Sequence, residues 1–116
     1  MKKDRIVIID DMVEILEIME KMLEDYSVST FTNINSAMKY IKHDNTDLII
    51  TDLSIQKKDD GFKILNFVSE NKINIPVIIM TGSVDIEEYY KKYGSLSFLG
   101  KPFNSEMLLE KIKKFI

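Results

Sequence analysis

The chain has 116 residues, 45% of them hydrophobic and 30% charged, and a formal net charge of −3 at pH 7. This length and composition predict one globular domain over residues 1–116, able to bury roughly two-thirds of its unfolded surface without disulfides. The negative charge and scattered basic residues argue against direct nucleic-acid or anionic-membrane contact, no apolar run reaches membrane-spanning length, and the absence of cysteine is compatible with a reducing cytoplasm.

The first half of the chain alternates between short apolar, β-branched runs, which predict strands, and stretches whose apolar side chains recur at helical spacing. The predicted elements are a strand at 6–9, a helix at 12–26, a strand at 28–32, a helix capped by Asn33 or Asn35 that ends near His43, and a strand that closes at Asp52. His43 is expected to face solvent rather than to take part in catalysis.

The second half continues the alternation after a polar, irregular loop at 53–60. Gly61 opens a helix whose predicted apolar side is Phe62, Leu65 and Val68. The remaining predicted elements are a strand at 76–81, a turn at 82–85, a helix at 86–93 that Gly94 terminates, a strand at 97–99, a turn at 100–103, and a helix capped by Asn104 or Ser105 with Leu108, Leu109, Ile112 and Ile116 on one face.

Five alternations of strand and helix predict an α/β fold with a parallel five-stranded sheet, because each right-handed crossover must pack its helix back on the sheet. We expect a flavodoxin-like (βα)5 three-layer sandwich with strand order 2-1-3-4-5. In that order the topological switch point, where such folds bind ligands, falls between the first and third strands.

Polar side chains stand at the ends of four predicted strands: Asp10 with Asp11, then Asp52, then Thr81, then Lys101. Parallel strands bring these ends to one edge of the sheet, where three acids repel one another, an arrangement that folding alone does not favour. Carboxylates without Cys or His favour a hard cation such as Mg²⁺. A lysine and a hydroxyl beside them suit phosphoryl oxygens, and one carboxylate can serve as nucleophile. Asp52 is the best candidate because it stands alone on its strand.

Together with Thr81 followed by the small Gly82, and Phe98 followed by Lys101-Pro102-Phe103, these acids resemble the receiver domain of two-component response regulators over essentially the whole chain. The resemblance implies a phosphorylation-activated signalling switch. It implies a sensor histidine kinase or phosphotransfer protein as phosphodonor, an unknown downstream protein, a cytoplasmic location, and no enzymatic activity beyond the domain's own phosphorylation and dephosphorylation.

The resemblance also implies a role for individual residues and a cis peptide bond before Pro102. The implied roles are phosphoacceptor for Asp52, Mg²⁺ binding by Asp10, Asp11, Asp52 and the backbone carbonyl of Ser54, phosphate contact by Lys101, and a conformational switch formed by Thr81 and Phe98.

The chain departs from the family pattern in three places. Residues 55–58 replace the usual Met-Pro after the acceptor, and Gly61 comes one residue late. The segment 82–94 is short and carries Tyr89, Tyr90 and Tyr93 where small residues are usual. The chain ends at the predicted last helix without a linker or effector domain, as expected of a stand-alone or an excised receiver.

Other readings of the strand-end acids compete with this one. A haloacid dehalogenase-type phosphatase needs a second Asp two residues after the first, where this chain has Met12, and also a cap and a longer chain. A nucleotide or flavin module needs a Gly-rich first turn that admits phosphates, and residues 10–13 repel them. A receiver-like adaptor that binds partners without being phosphorylated is the remaining alternative, since the changed loop after Asp52 bears on phosphoryl transfer.

Overall fold

The computed structural model describes residues 2–82, 87–88, 91 and 98–116. Its elements are β1 (Arg5–Ile9), α1 (Val13–Met22), β2 (Ser27–Phe31), α2 (Ile34–His43), β3 (Leu48–Asp52), α3 (Phe62–Glu70), β4 (Val77–Thr81), β5 (Phe98–Gly100) and a C-terminal helix (Ser105–Lys113). The strands form one parallel sheet in the order β2-β1-β3-β4-β5, which confirms the predicted fold class and strand order.

The predicted helix at 86–93, its three tyrosines, the turn residues 83–85 and the terminating Gly94 lie mostly or wholly outside the described residues. Within the described part of the chain, no helix combines the length and the apolar character needed to cross a membrane.

The sheet separates two apolar layers, because successive side chains of a strand point to opposite faces. On β1, Val7 and Ile9 pack with α2 and α3, whereas Ile6 and Ile8 pack with α1 and the C-terminal helix. The central strands are therefore apolar on both sides, as their continuous runs of Ile, Leu and Val predict. This arrangement is the expected three-layer sandwich.

Two helices bury faces that differ from the predicted ones. In α3 the fully buried side chain is Ile64, with Val68 one turn on, while Phe62 and Leu65 are only partly buried. Ile64 and Val68, four residues apart, face the sheet directly. Phe62 and Leu65 of the predicted apolar side lie to one side of them. The C-terminal helix ends at Lys113, so Ile116, 38% exposed, lies beyond the buried face assigned to it.

The caps and helix ends follow local hydrogen bonding. Asn33 caps α2 by accepting from the Ser36 N–H, and Asn104 caps the C-terminal helix by accepting from the Met107 N–H. These bonds select Asn33 over Asn35 and Asn104 over Ser105. The first helix stops at Met22, short of the predicted end at Tyr26, whose N–H bonds to the Leu23 carbonyl in a turn.

Candidate metal and phosphoacceptor site

Adjacent strands β1, β3, β4 and β5 deliver the predicted site residues to one edge of the sheet. Asp10 follows β1, Asp52 closes β3, Thr81 closes β4 and Lys101 follows β5. The register pairs Thr81 with the glycine before Lys101, so the two lie at the same height, and the Lys101 N–H donates to the Thr81 carbonyl at 2.8 Å. The peptide bond between Lys101 and Pro102 is cis, as the resemblance implies.

Asp10, Asp11 and Asp52 form a cluster, hereafter the acidic cluster. One carboxylate oxygen from each lies within 4.8 Å of the other two. The three differ in burial: Asp10 is buried, Asp52 is partly exposed and Asp11 is exposed. The sequence therefore predicted their meeting correctly, and the structure shows that the cluster opens to solvent on the side of Asp11.

Asp10 lies at the base of the cluster, and its two carboxylate oxygens differ in their partners. It is 0% exposed, and its Oδ1 accepts from the Met12 N–H at 2.9 Å. Its Oδ2 is buried and has no hydrogen-bond partner among the described residues, with the Lys101 Nζ at 3.7 Å forming only an ion pair. Burial, helped by repulsion from Asp52 and Asp11, raises the pKa of Asp10 above its ordinary value, even though the Met12 N–H and Lys101 act to lower it.

Asp52 faces the cluster from the end of β3 and remains accessible. Its side chain is 16% exposed, and its Oδ1 accepts from the Lys101 Nζ at 3.0 Å and from the Leu53 N–H at 3.1 Å. The lysine ammonium thus sits between two carboxylates, closer to Asp52 than to Asp10. Among the described residues one lysine faces three acids, so this part of the site has an excess of negative charge.

The acidic cluster fits a hard divalent cation. It supplies only oxygen donors, which are the ligands that such cations prefer. The buried Oδ2 of Asp10 has no hydrogen-bond partner in the described part of the chain and points to a bound group, because buried polar atoms are nearly always satisfied. A cation would satisfy this oxygen and relieve the repulsion among the carboxylates.

The expected switch residues lie beside this site. Thr81 is buried at the end of β4, next to the Lys101 backbone. Phe98 is fully buried in the layer of α2 and α3, and its ring meets that of Phe62 edge to face, with centroids 6.5 Å apart and an interplanar angle of 68°. The aromatic ring therefore occupies an inward position.

The segment that joins β3 to α3, residues 53–61 and hereafter the β3–α3 loop, contains a residue that sequence reasoning missed. Asp60 is 6% exposed and accepts hydrogen bonds from three consecutive backbone N–H groups of the loop. Ser54 is exposed, and its Oγ accepts from the Asp59 N–H at 2.9 Å. The signal for Asp60 was an acid directly before the glycine that opens a helix, since a tight loop needs acceptors for its N–H groups.

Residues 6–113 match the family of the response regulator receiver domain. The chain therefore belongs to this family of two-component signalling proteins. The parallel sheet, its strand order and the carboxylates at the sheet edge agree with that assignment.

Among curated relatives, sporulation initiation phosphotransferase F of Bacillus subtilis is 29% identical over 100% of this chain and 96% of its own length. The nitrogen assimilation regulatory protein NtrX of Azorhizobium caulinodans is 30% identical over 90% of this chain but only 24% of its own. The DNA-binding transcriptional regulator NtrC of Proteus hauseri is 27% identical, and this chain covers 25% of it. The chain thus spans nearly the whole of one relative and about a quarter of the other two.

Two solved structures show the same fold. The beryllofluoride-activated receiver domain of NtrC4, a dimer, is 32% identical with a TM-score of 0.80, covering 96% of this chain and 95% of its own. The chemotaxis response regulator CheY4 of Vibrio cholerae is 23% identical with a TM-score of 0.80, covering 99% of this chain and 100% of its own. At that lower identity the likeness concerns the fold alone.

Proposed function

We propose that the protein is a phosphorylation-activated signalling switch in which Asp52 accepts a phosphoryl group in the presence of Mg²⁺. The observation that carries the proposal is the environment of Asp52. This carboxylate is solvent-accessible, is paired with Lys101 at 3.0 Å, and has carboxylate oxygens of Asp10 and Asp11 within 4.8 Å. Nucleophile, countercharge and metal-binding oxygens therefore stand together at one sheet edge.

In the proposed reaction a carboxylate oxygen of Asp52 attacks the phosphorus of a phosphohistidine on the donor. A P–O bond to Asp52 forms as the P–N bond breaks, and the departing imidazole takes the electron pair and then a proton from solvent. In this proposal Lys101 holds a negatively charged phosphoryl oxygen, and Thr81 offers its hydroxyl from the neighbouring strand. Asp10, Asp11, Asp52 and the Ser54 carbonyl would hold Mg²⁺, which when bound neutralises carboxylate and phosphoryl charge.

The surface beside the acidic cluster is suited to docking the donor, which we propose to be a sensor histidine kinase or a phosphotransfer protein. Met12, Val13 and Ile18 are 53%, 51% and 49% exposed on α1 and the turn before it. Exposed apolar side chains that flank a charged pocket are typical of a protein interaction site. A donor docked there brings its phosphohistidine to the mouth of the cluster.

In this proposal the protein catalyses only its own phosphorylation and dephosphorylation. Its output is a changed surface for a downstream protein, and its cytoplasmic location stays a prediction. A receiver-like adaptor that acts without phosphorylation is the competing function, because the β3–α3 loop departs from the family pattern beside the acceptor.

Intact-mass measurement distinguishes the two. We expect the wild-type protein, incubated with acetyl phosphate and Mg²⁺, to gain one phosphoryl group, and the Asp52→Asn variant or a sample in EDTA to gain none. An unchanged wild-type mass supports the adaptor. A gain that persists in Asp52→Asn shows that another residue is the acceptor.

A further inference from the structure

The Asp60 side chain holds the β3–α3 loop through hydrogen bonds to the loop's own backbone. Its Oδ1 accepts from the Ile55 N–H at 2.6 Å, and its Oδ2 accepts from the N–H groups of Gln56 and Lys57 at 3.0 and 3.1 Å. Three successive peptide groups are thereby turned toward one buried carboxylate. The N–H groups of residues 55–57 thus bond to this carboxylate, whereas the Leu53 N–H at the start of the loop still donates to the Met80 carbonyl of β4.

The first of these bonds fixes the peptide between Ser54 and Ile55. This peptide is trans, since the cis bond found among the described residues is the one before Pro102. In a planar trans peptide the C=O and N–H groups point in opposite directions. With the Ile55 N–H directed at Asp60, the Ser54 carbonyl must point away from Asp60.

We propose that Asp60 is a positioning residue for the metal site: by holding the Ile55 N–H, it turns the Ser54 carbonyl toward a cation bound at the acidic cluster. The inference rests on the proposed Mg²⁺ site and adds a residue to it. Asp60 touches neither the cation nor the phosphoryl group and acts only through the peptide plane. The loop that Asp60 holds in this way includes residues 55–58, which depart from the usual Met-Pro.

A carboxylate suits this task better than an amide. Burial alone would raise the pKa of Asp60, but the three N–H groups, with Lys63, outweigh it and lower the pKa. Asp60 is therefore ionised at neutral pH and presents two acceptor oxygens. An Asn offers one oxygen and an NH₂ group, which repels the N–H groups that face it.

The test compares Asp60→Asn with Asp59→Asn in a Mg²⁺ titration. Asp59→Asn removes one carboxylate charge from the same loop but leaves in place the three hydrogen bonds that Asp60 accepts, and Asn tolerates the backbone φ of 61° at this position. Affinity is measured by calorimetry, and the ¹³C shift of the residue 54 carbonyl is followed by NMR as a direct report on the proposed ligand.

We expect Asp60→Asn to weaken Mg²⁺ binding by about tenfold or more and to abolish the shift of the residue 54 carbonyl, while the Asp10 and Asp52 carboxylate carbons still respond. Asp59→Asn should bind within about twofold of wild type. Unchanged affinity in Asp60→Asn, or equal losses in both variants, overturns the inference. If Asp60→Asn does not fold, Asp60→Glu, which displaces the carboxylate by one methylene, is judged by the same criteria.

The inference and the proposed function fail in different ways. A wild-type protein that takes up no Mg²⁺ overturns the metal site and the role of Asp60 together. Mg²⁺ uptake by wild type and by Asp60→Asn with equal affinity overturns the role of Asp60 alone.

Discussion

Asp10 and Asp52 are the same residue type in one cluster, yet their surroundings differ. Asp10 is completely buried with one oxygen unsatisfied and a raised pKa, for which burial is the main cause. Asp52 is accessible and has the ammonium of Lys101 at 3.0 Å. The sequence predicts repulsion among the three acids, whereas the raised pKa of Asp10 comes mainly from its burial. Ionised Asp10 therefore destabilises the fold.

Replacing Asp10 by Asn should stabilise the metal-free protein. The amide oxygen can still accept from the Met12 N–H, while the buried charge and its repulsion with Asp52 and Asp11 disappear. Removing about 1 kcal/mol of like-charge repulsion corresponds to a rise in melting temperature of about 3–6 °C for a domain of this size. Thermal melts in EDTA check this. Asp44→Asn, which removes an exposed carboxylate at the C-cap of α2, is the control and should change little.

The effect of Asp10→Asn on stability should depend on pH. The folded-state pKa of Asp10 lies above its ordinary value of 3.8, so ionised Asp10 destabilises the fold at neutral pH and the penalty vanishes as the carboxyl protonates. The advantage of Asp10→Asn should therefore shrink as the pH falls from about 7 to about 4. An advantage that stays constant over this range, or a melting temperature below wild type at neutral pH, would contradict the role assigned to Asp10.

Gly61, the N-cap of α3, lies against the backbone at the end of β3. Its N–H donates to the Leu53 carbonyl at 2.6 Å, and a Cβ at this position would lie 2.8 Å from that oxygen and closer still to the Asp52 carbonyl oxygen. Both obstacles are backbone atoms, which do not move aside as a side chain can. Glycine is thus required here by space, at the point where α3 begins against the acceptor strand.

Gly61→Ala should destabilise the protein by about 1–3 kcal/mol, the usual effect of forcing extra volume into a packed site. Gly82→Ala is a matched control from the same sheet edge, because among the described residues its Cβ would meet only the Lys101 Cβ, at 3.9 Å. Urea unfolding measures both variants, and the control should stay within about 0.5 kcal/mol of wild type. Equal stability of the two variants would show that the loop accommodates a Cβ without strain.

The elements could be predicted from the sequence because their patterns are strong. A run such as Ile6–Ile9 is apolar throughout and fits only a strand covered on both faces, and its end at Asp10 is marked by a change of residue type. Helix faces were less certain. Ile64 and Leu65 are adjacent and equally apolar, and only the direction from which α3 meets the sheet decides that Ile64 is the fully buried one.

The acidic cluster was also predictable, since parallel topology alone brings the ends of β1 and β3 together. The role of Asp60 as acceptor for three N–H groups could not be predicted, because a loop has no hydrophobic periodicity and its hydrogen bonds depend on its exact backbone path. The contact of Phe62 with Phe98 could not be predicted either, because the two residues are far apart in sequence, on α3 and β5, and meet only through the tertiary fold.

Across the whole molecule, this ring contact links the acceptor end of the fold to the strand at the edge of the described sheet. Phe62 is the first residue of α3 and follows Gly61, which packs on the Asp52 backbone. Phe98 belongs to β5, whose other buried side chain, Leu99, packs in the layer that holds the C-terminal helix. A change at the acceptor therefore has a packed route to the far side of the sheet.

Adding beryllofluoride and Mg²⁺ as a phosphate mimic should shift backbone amide resonances well beyond the acidic cluster. We expect changes at Phe98, Leu99 and the C-terminal helix. The reason is that a movement of the Thr81 hydroxyl toward the phosphoryl position would alter the packing around the Phe98 ring. Two-dimensional NMR of the wild type measures them, and Asp52→Asn is the control. Shifts confined to the acidic cluster and the β3–α3 loop would rule out this switch.

Mg²⁺ should reverse the stability order that holds without metal. A ligand that binds only the folded state stabilises it by an amount that grows with the logarithm of its concentration, about 2.7 kcal/mol at one hundred times the dissociation constant. Wild type presents three carboxylates to the cation, whereas Asp10→Asn presents two and lacks the buried oxygen that needs a partner. In EDTA the variant should melt at a higher temperature than wild type, and in excess Mg²⁺ at a lower one. The reason is that the crowded carboxylates destabilise the metal-free protein but bind the cation. The exposed Asp44→Asn control should gain from Mg²⁺ as wild type does. Equal gains in wild type and Asp10→Asn would place the cation elsewhere and separate the strain at Asp10 from metal binding.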